Sequence, residues 1–289
     1  MLASNRPFDE LRAGDRFASY RIEATIGWGG SGIVYLARRD DGGAVALKVL
    51  RRAVAADPTS LERFRRESRS AAAIRHPHVV PQVEAGDVDG QLYLVSRYMA
   101  GGSLAARLHR SGPLDVDAGL TLIDQIADGL HALHRMGYIH RDVKAENILL
   151  EPDGAAALGD MGLARGPRDL TVTQTGQVIG TMDYLAPELI RGGTATPASD
   201  IYALGCVVFA ALTGRPPFAS GSPFRTAFAH LEESVPYPAT LRPSIGPHLA
   251  AAIVMALAKL PEDRPATTLI YTHTMRSARL ADAHRRDAG

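Results

Sequence analysis

Several short stretches of the sequence carry side chains whose types and spacing suit chemistry on a phosphate-bearing ligand. The densest is Ile139-His140-Arg141-Asp142-Val143-Lys144-Ala145-Glu146-Asn147-Ile148-Leu149. Its polar residues sit between apolar anchors, so a short loop is pinned at both ends. Asp142 can accept a hydroxyl proton or orient a nucleophile, and Asn147 offers an oxygen ligand to a hard cation. Asp160-Met161-Gly162 follows after a short strand-turn segment and supplies a second oxygen ligand. Upstream, Gly27-Trp28-Gly29-Gly30-Ser31-Gly32 fits G-x-G-x-x-G, with Val34 close behind. Glycines let backbone N–H groups approach phosphate oxygens with no Cβ in the way. An ordinary hairpin turn collects glycines too. A dinucleotide-binding motif is disfavoured, because these glycines lead into a strand rather than opening a helix.

Val45-Ala46-Leu47-Lys48 reads as part of a strand, in which Ala46 and Lys48 share one face and Val45, Leu47 and Val49 the other. A lysine there could snorkel to water. Set beside an inward Glu67, it reads instead as a fixed ammonium aimed at a phosphate-bearing ligand. Glu67 lies three after Phe64 and four before Ala71, on the apolar stripe of a helix that also includes Ile74. Thr59-Ser60-Leu61-Glu62 has capping-box spacing for that helix, and Pro77 marks its far boundary.

The elements that must hold these groups fall into two sets. From Tyr20 to about Tyr98 the chain is strand-rich with one helix: Tyr20–Ile26, Ile33–Ala37, Ala44–Leu50 and Leu92–Val95 read as strands. From Gly101 the pattern becomes helical. Ile123, Ile126, Leu130 and Leu133 keep a helical period that Gly137 can end. Ile201–Leu212 is apolar on all sides, a core helix closed by Gly214 and Pro216-Pro217, and Ile253–Leu260 is a further helix candidate. The expectation is an α+β chain, a small strand-rich lobe and a larger helical one, joined narrowly near Arg97–Gly102.

Composition narrows the class. The chain of 289 residues has 46% hydrophobic and 22% charged residues, ordinary for a globular protein. Its 32 basic and 31 acidic side chains leave no general field for nucleic acid. The local cluster Arg63, Arg65 and Arg66 reads as a solvated helix face. A lone cysteine, Cys206, excludes an internal disulfide and sits in an apolar run, as a buried structural thiol would. Residues 1–12 lack a signal peptide's apolar core, and the longest apolar run falls short of the roughly 20 residues a membrane helix needs. A soluble, cytoplasmic chain with no membrane span is expected. His131 and His134 have helical metal-ligand spacing but no evident third ligand, and are read as structural. His76 and His78 flank Pro77 in a turn.

Taken in order, with Gly180-Thr181 and Ala186-Pro187-Glu188 following, these motifs resemble the Ser/Thr protein kinases, above all the eukaryotic-like (Hanks-type) kinases of bacteria. The resemblance runs from about Tyr20 to Arg264. It implies the bilobal kinase fold, with an extension at 1–19, an ATP-binding lobe at 20–99, a catalytic lobe at 100–275 and a tail at 276–289. It implies ATP with Mg²⁺ as cofactors, Mn²⁺ being the alternative ion. Ile26, Gly27, Trp28, Gly29, Gly30, Ser31 and Gly32 would cover the nucleotide. Val34, Ala46 and Leu149 would sandwich adenine, and backbone groups of Arg97 and Met99 would bind its edge. Lys48 would contact the α and β phosphates and pair with Glu67. Asp142 is implied as the catalytic base, Lys144 as its partner at the moving phosphoryl group, and Asn147 and Asp160 as the metal ligands. Asp200 would brace the catalytic loop and Glu188 would pair with Arg264. Lys144 and Thr181 resemble Ser/Thr rather than Tyr kinases.

Four positions depart from the pattern: Met161 replaces the usual Phe, Ala145 a common Pro, Ser96 a larger gatekeeper and Arg97 a frequent acidic residue. None removes a catalytic group, and Ser96 implies a deeper pocket behind adenine. Arg141 beside Asp142 suggests control by phosphorylation of Thr171, Thr173 or Thr175, through autophosphorylation. An unmodified threonine-rich loop is the alternative. Trp28 would cap the phosphates or serve as an exposed contact. Expected partners are protein substrates with Ser/Thr acceptors, the chain itself, and, by analogy, a second copy through the small lobe. The alternatives are a pseudokinase scaffold, which usually lacks an equivalent of Lys48, Asp142 or Asp160, and a small-molecule phosphotransferase, which would not need the Gly180 to Glu188 segment.

Overall fold

The computed structural model describes residues 10–29, 32–51, 62, 64, 68, 73–160 and 182–287. Within it the chain divides into two compact units, one formed by Met1–Arg75 with Val80–Tyr98, the other by His76–Val79 with Met99–Gly289.

The smaller unit is built on a six-stranded antiparallel sheet of order β1-β2-β3-β4-β6-β5. Its strands are β1 (Arg16–Phe17), β2 (Tyr20–Gly29), β3 (Gly32–Arg38), β4 (Ala44–Leu50), β5 (Gln82–Val88) and β6 (Gln91–Arg97). Alternation sorts the side chains. Val45, Leu47 and Val49 of β4 go to a buried face with Tyr35, Tyr93 and Val95, while Ala46 and Lys48 are half-buried on the other. Leu11 and Phe17 close over the buried face, Phe17 meeting Tyr93 edge-on at 5.5 Å. The expected helix around Glu67 is helical at Glu62, Phe64 and Ser68, and Phe64 is buried beside Leu50 and Leu92. Glu67, Ala71 and the capping residues before Glu62 lie outside the described residues.

The larger unit carries a three-stranded sheet, β7 (Gly102–Ser103), β8 (Ile148–Leu150) and β9 (Ala156–Leu158), in that order. Its helices among the described residues are α1 (Leu104–Ser111), α2 (Val116–Arg135), α3 (Pro187–Ile190), α4 (Pro197–Thr213), α5 (Pro223–Glu232), α6 (Pro238–Leu241), α7 (Pro247–Met255) and α8 (Thr268–Asp287). Asp115 starts α2 by accepting from the N–H groups of Asp117 and Ala118, and Gly137, at φ 78°, turns the chain away beyond its end. Helix α4 is buried from Ser199 to Leu212 and stops at Gly214 in the left-handed conformation. Cys206 is wholly buried there, and burial pushes its thiol well above the ordinary range.

One expectation is corrected. The helix sought at Ile253–Leu260 runs from Pro247 to Met255, and residues 256–260 are not helical. Beyond the helix end, the carbonyls of Ala258 and Lys259 accept from the buried guanidinium of Arg264. Residues 276–287 continue α8, where Arg276 bonds Asp124, Arg279 forks onto Asp117, and Asp282 accepts from the N–H groups of His248 and Leu249 at the start of α7.

Candidate active site

In the smaller unit the glycine motif is the β2–β3 hairpin, with Gly27 opposite Val34, Trp28 opposite Ile33 and Gly29 opposite Gly32. Of the three described glycines, packing requires only Gly32. A Cβ on Gly32 would lie 2.1 Å from the Val49 carbonyl oxygen, so the close approach of β4 demands glycine. Added Cβ atoms on Gly27 and Gly29 would have no neighbour closer than 3.6 Å and 3.7 Å. Packing within the protein does not demand glycine at those two positions.

Directly opposed residues share a face. Val34 lies opposite Lys48, Leu36 opposite Ala46, Lys48 opposite Leu94 and Ala46 opposite Ser96. These six half-buried side chains form one continuous face of the sheet. Trp28 does not join them: its partner Ile33 belongs to the other face, and the indole is 67% exposed. Ile26, at the bulge between Thr25 and Gly27, is also exposed. Arg97 donates its N–H to the Pro81 carbonyl at 3.2 Å. Gly30, Ser31 and Glu67 lie outside the described residues.

In the larger unit the loop after α2 is held from several sides. Asp200 of α4, 1% exposed, accepts from the backbone N–H of His140 (2.8 Å) and of Arg141 (2.9 Å), and meets His134 Nε2 at 2.8 Å. Those bonds hold Arg141 at φ 65°, a left-handed backbone that costs an arginine about 1–3 kcal/mol. His140 accepts the Asp142 N–H at Nδ1 (3.3 Å), and its Nε2 meets the Gly159 carbonyl at 3.1 Å. The Nε2–H tautomer satisfies both contacts. Gly159 in turn donates its N–H to the Asn147 carbonyl at 2.8 Å. Both backbone groups of Gly159 are thus tied to the loop, which fixes where Asp160 begins. Asp160 is itself left-handed, at φ 51°, a conformation that aspartate tolerates better than most residues.

Within the loop, Asn147 Nδ2 donates to the Asp142 carbonyl (2.8 Å) and to its carboxylate (2.9 Å), and Lys144 Nζ lies 3.0 Å from that carboxylate. With its amide nitrogen engaged, Asn147 keeps Oδ1 as a donor for a cation. That oxygen and the Asp160 carboxylate are hard oxygen donors, the chemistry Mg²⁺ takes together with phosphate oxygens and water. Among the described residues no group of three or more His, Cys, Asp or Glu side chains is arranged to hold a metal ion. Leu149, on β8 between Ser103 and Ala157, packs against Gly159. The carbonyl of Met99 accepts from the Gly102 N–H at 3.3 Å.

Glu188 and Arg264 form a forked ion pair, with both N–O distances 2.8 Å. The Arg264 side chain is 0% exposed and uses all five of its N–H groups, the other three on the carbonyls of Ala258, Ala198 and Lys259. Burial raises the Glu188 carboxyl, but hydrogen bonds from Arg264 and Ser199 outweigh that and hold it below the ordinary value. Met161, Gly162, Thr171, Thr173, Thr175, Gly180 and Thr181 lie outside the described residues. Sequence reasoning missed His140 as a double tether and left His134 without a partner. A polar side chain at the end of an apolar helix, close to the catalytic loop, was the available signal.

A glycine hairpin beside a lysine-bearing strand, and an Asp–Lys–Asn loop tied to a second aspartate, define a phosphotransferase fold. The chain belongs to the protein kinase domain family, which it matches over residues 20–275. It is 42% identical over 261 residues to the serine/threonine-protein kinase PknE of Mycobacterium tuberculosis, covering 89% of this chain and 46% of that protein. It is 40% identical over 256 residues to the serine/threonine-protein kinase PknB of Mycolicibacterium smegmatis, covering 85% and 40%. The chain therefore spans less than half the length of these relatives. Among solved structures, the Mycobacterium tuberculosis PknI kinase domain superposes with a TM-score of 0.74 at 29% identity, over 93% of this chain and 100% of that one. Rad53 1-466 in complex with AMP-PNP gives 0.74 at 25% identity, over 89% and 65%. No helix among the described residues is long and apolar enough to cross a membrane.

Proposed function

We propose that this chain is a Ser/Thr protein kinase domain that moves the γ-phosphoryl group of Mg²⁺-ATP to Ser or Thr hydroxyls of proteins. The observation that carries the reading is the double hydrogen bond from Asn147 to Asp142, in a loop that also binds both backbone groups of Gly159. Phosphoryl transfer asks a protein mainly for positioning and charge neutralisation. Asp142 takes the acceptor's proton, and Lys144 stands beside it to steady the moving group. Asn147 and Asp160 hold Mg²⁺, which neutralises phosphate charge. Gly27 and Gly29 admit the phosphates, Lys48 binds the α and β phosphates with Glu67 as its counter-ion, and Val34, Ala46 and Leu149 enclose adenine. The kinase names of the relatives at 40–42% identity support the Ser/Thr class, and AMP-PNP in the complex with Rad53 supports the nucleotide.

Incubation with γ-labelled ATP, Mg²⁺ and casein, followed by phosphoamino-acid analysis, tests this. Label on phosphoserine or phosphothreonine is expected, and its absence would refute the proposal. Autophosphorylation on Thr171, Thr173 or Thr175 belongs to the same reading. Mass spectrometry after incubation with Mg²⁺-ATP should find phosphate there in the wild type and none in an Asp142→Asn protein.

A further inference from the structure

Strand β9 runs straight into Gly159 and Asp160, and all three of its residues are buried. One of its edges pairs with β8. The other edge needs partners as well, because backbone N–H and C=O groups out of reach of water must be bonded. That edge is met by the turn His76–Val79, which belongs to the larger unit although the chain on either side of it belongs to the smaller one. Val79 bridges Leu158 in parallel register.

His78 is fastened there three times. Its carbonyl accepts the Leu158 N–H at 2.9 Å, its ring Nδ1 lies 2.9 Å from the Ala156 carbonyl, and its own N–H donates to His76 Nδ1 at 3.2 Å. A carbonyl only accepts, so His78 Nδ1 carries a ring proton. Gln125 of α2 completes the edge, its Oε1 accepting the Ala156 N–H at 2.7 Å. Both backbone groups of Ala156 are thereby held by side chains. Helix α2 presses on the same turn. A Cβ on Gly129 would run into the His78 carbonyl oxygen, and His76 Nε2 lies 3.4 Å from Asp128.

Gly159, the next residue, is bonded to Asn147 and His140, so the backbone is held at each step before Asp160. We propose that His78 is a positioning residue for Asp160: with Gln125 it fixes the edge of β9 away from β8, and so the register in which the strand delivers that carboxylate to a divalent cation. The proposal deepens the kinase reading and rests on it, because Asp160 as a Mg²⁺ ligand belongs to that reading. The N–H at Nδ1 is the working group rather than the ring. Asparagine sets an N–H in nearly the same place, and leucine sets none.

The test is Mn²⁺ binding to the full 289-residue chain in the presence of AMP-PNP, followed by electron paramagnetic resonance, with melting curves to confirm folding. His78→Leu should weaken Mn²⁺ binding about tenfold, as losses behind a metal ligand do, and His78→Asn should restore it to within about twofold of wild type. AMP-PNP affinity without metal should stay within about twofold in both, because the lesion reaches the nucleotide only through the cation. Gln125→Met strips the acceptor from the Ala156 N–H and should weaken Mn²⁺ in the same way, so one lesion remains testable if the other fails to fold. A merely structural role would lower the melting temperature and leave the Mn²⁺ affinity of the folded protein unchanged. Wild-type Mn²⁺ affinity in either folded variant, a loss that His78→Asn shares, or an equal loss of metal-free AMP-PNP binding would overturn the proposal and leave the kinase reading intact. A folded wild type that binds no Mn²⁺ with AMP-PNP would remove both.

Discussion

The side-chain amide of Asn147 donates to the main-chain carbonyl of Asp142 at 2.8 Å and to its carboxylate at 2.9 Å. In the proposed mechanism one residue would thereby orient the proton acceptor and offer its remaining oxygen to the cation. The two duties can be separated. Asn147→Asp keeps an oxygen for the cation but sets a second carboxylate against Asp142. We expect it to lose turnover as severely as Asn147→Ala, by about a hundredfold or more in initial rate. Near-wild-type turnover in Asn147→Asp would mean that cation binding is the whole of its role.

The glycine motif should divide under mutation. Gly32→Ala forces a Cβ onto the Val49 carbonyl and should cost about 1–3 kcal/mol of stability. Gly27→Ala and Gly29→Ala meet no protein atom that closely, so their melting temperatures should stay near wild type while ATP KM rises about tenfold. Thermal melts alongside ATP titrations of the rate check both halves. Equal stability loss at all three sites would contradict the division.

Contiguous patterns were legible and contacts across long sequence distances were not. Ala44–Leu50 alternates cleanly and forms β4 with those bounds, and the all-apolar Ile201–Leu212 lies wholly within α4. Strand β5 was missed because Glu84, Gly86 and Asp87 give it no apolar stripe. In the structure Glu84 takes hydroxyl bonds from Tyr20 and Tyr93, which no local window can reveal. The overlooked signal was Asp89-Gly90, both at positive φ, a two-residue turn joining β5 to β6. The loop residues from Asp142 to Asn147 announce themselves by type and spacing. The bonds from Asp200 to His140 and Arg141 span about sixty residues of sequence, and only the family resemblance pointed to Asp200. Helix α7 starts earlier than Ile253, at Pro247 just after Gly246 at positive φ, and ends at Met255.

Arg264→Lys keeps the charge and loses the fork that serves two carboxylate oxygens and three carbonyls. It should cost about 2–4 kcal/mol in urea unfolding. The pH dependence follows from Glu188, whose folded value lies below its unfolded one. Its contribution is complete above the ordinary carboxyl value and fades as pH falls through the folded value. Arg264→Lys should therefore flatten the acid limb of the stability curve; a limb as steep as wild type would contradict this.

His230 imposes its own acid sensitivity. Burial, followed by the Lys259 charge, lowers its folded value from 6.5 to about 4. Between those values the unfolded chain binds a proton that the folded chain does not, so stability falls as pH drops from 6.5 towards 4. His230→Gln, with no imidazole to protonate, should lose that part of the slope in urea titrations between those pH values. An unchanged slope would show that other groups account for it.

The most direct measurement compares wild type and Asp142→Asn for ATP binding and for transfer of labelled γ-phosphate to casein. The account predicts nucleotide affinities within about twofold of each other and transfer slowed at least about a hundredfold in the variant. Equal transfer rates, or a wild type that binds ATP yet phosphorylates nothing, would contradict it.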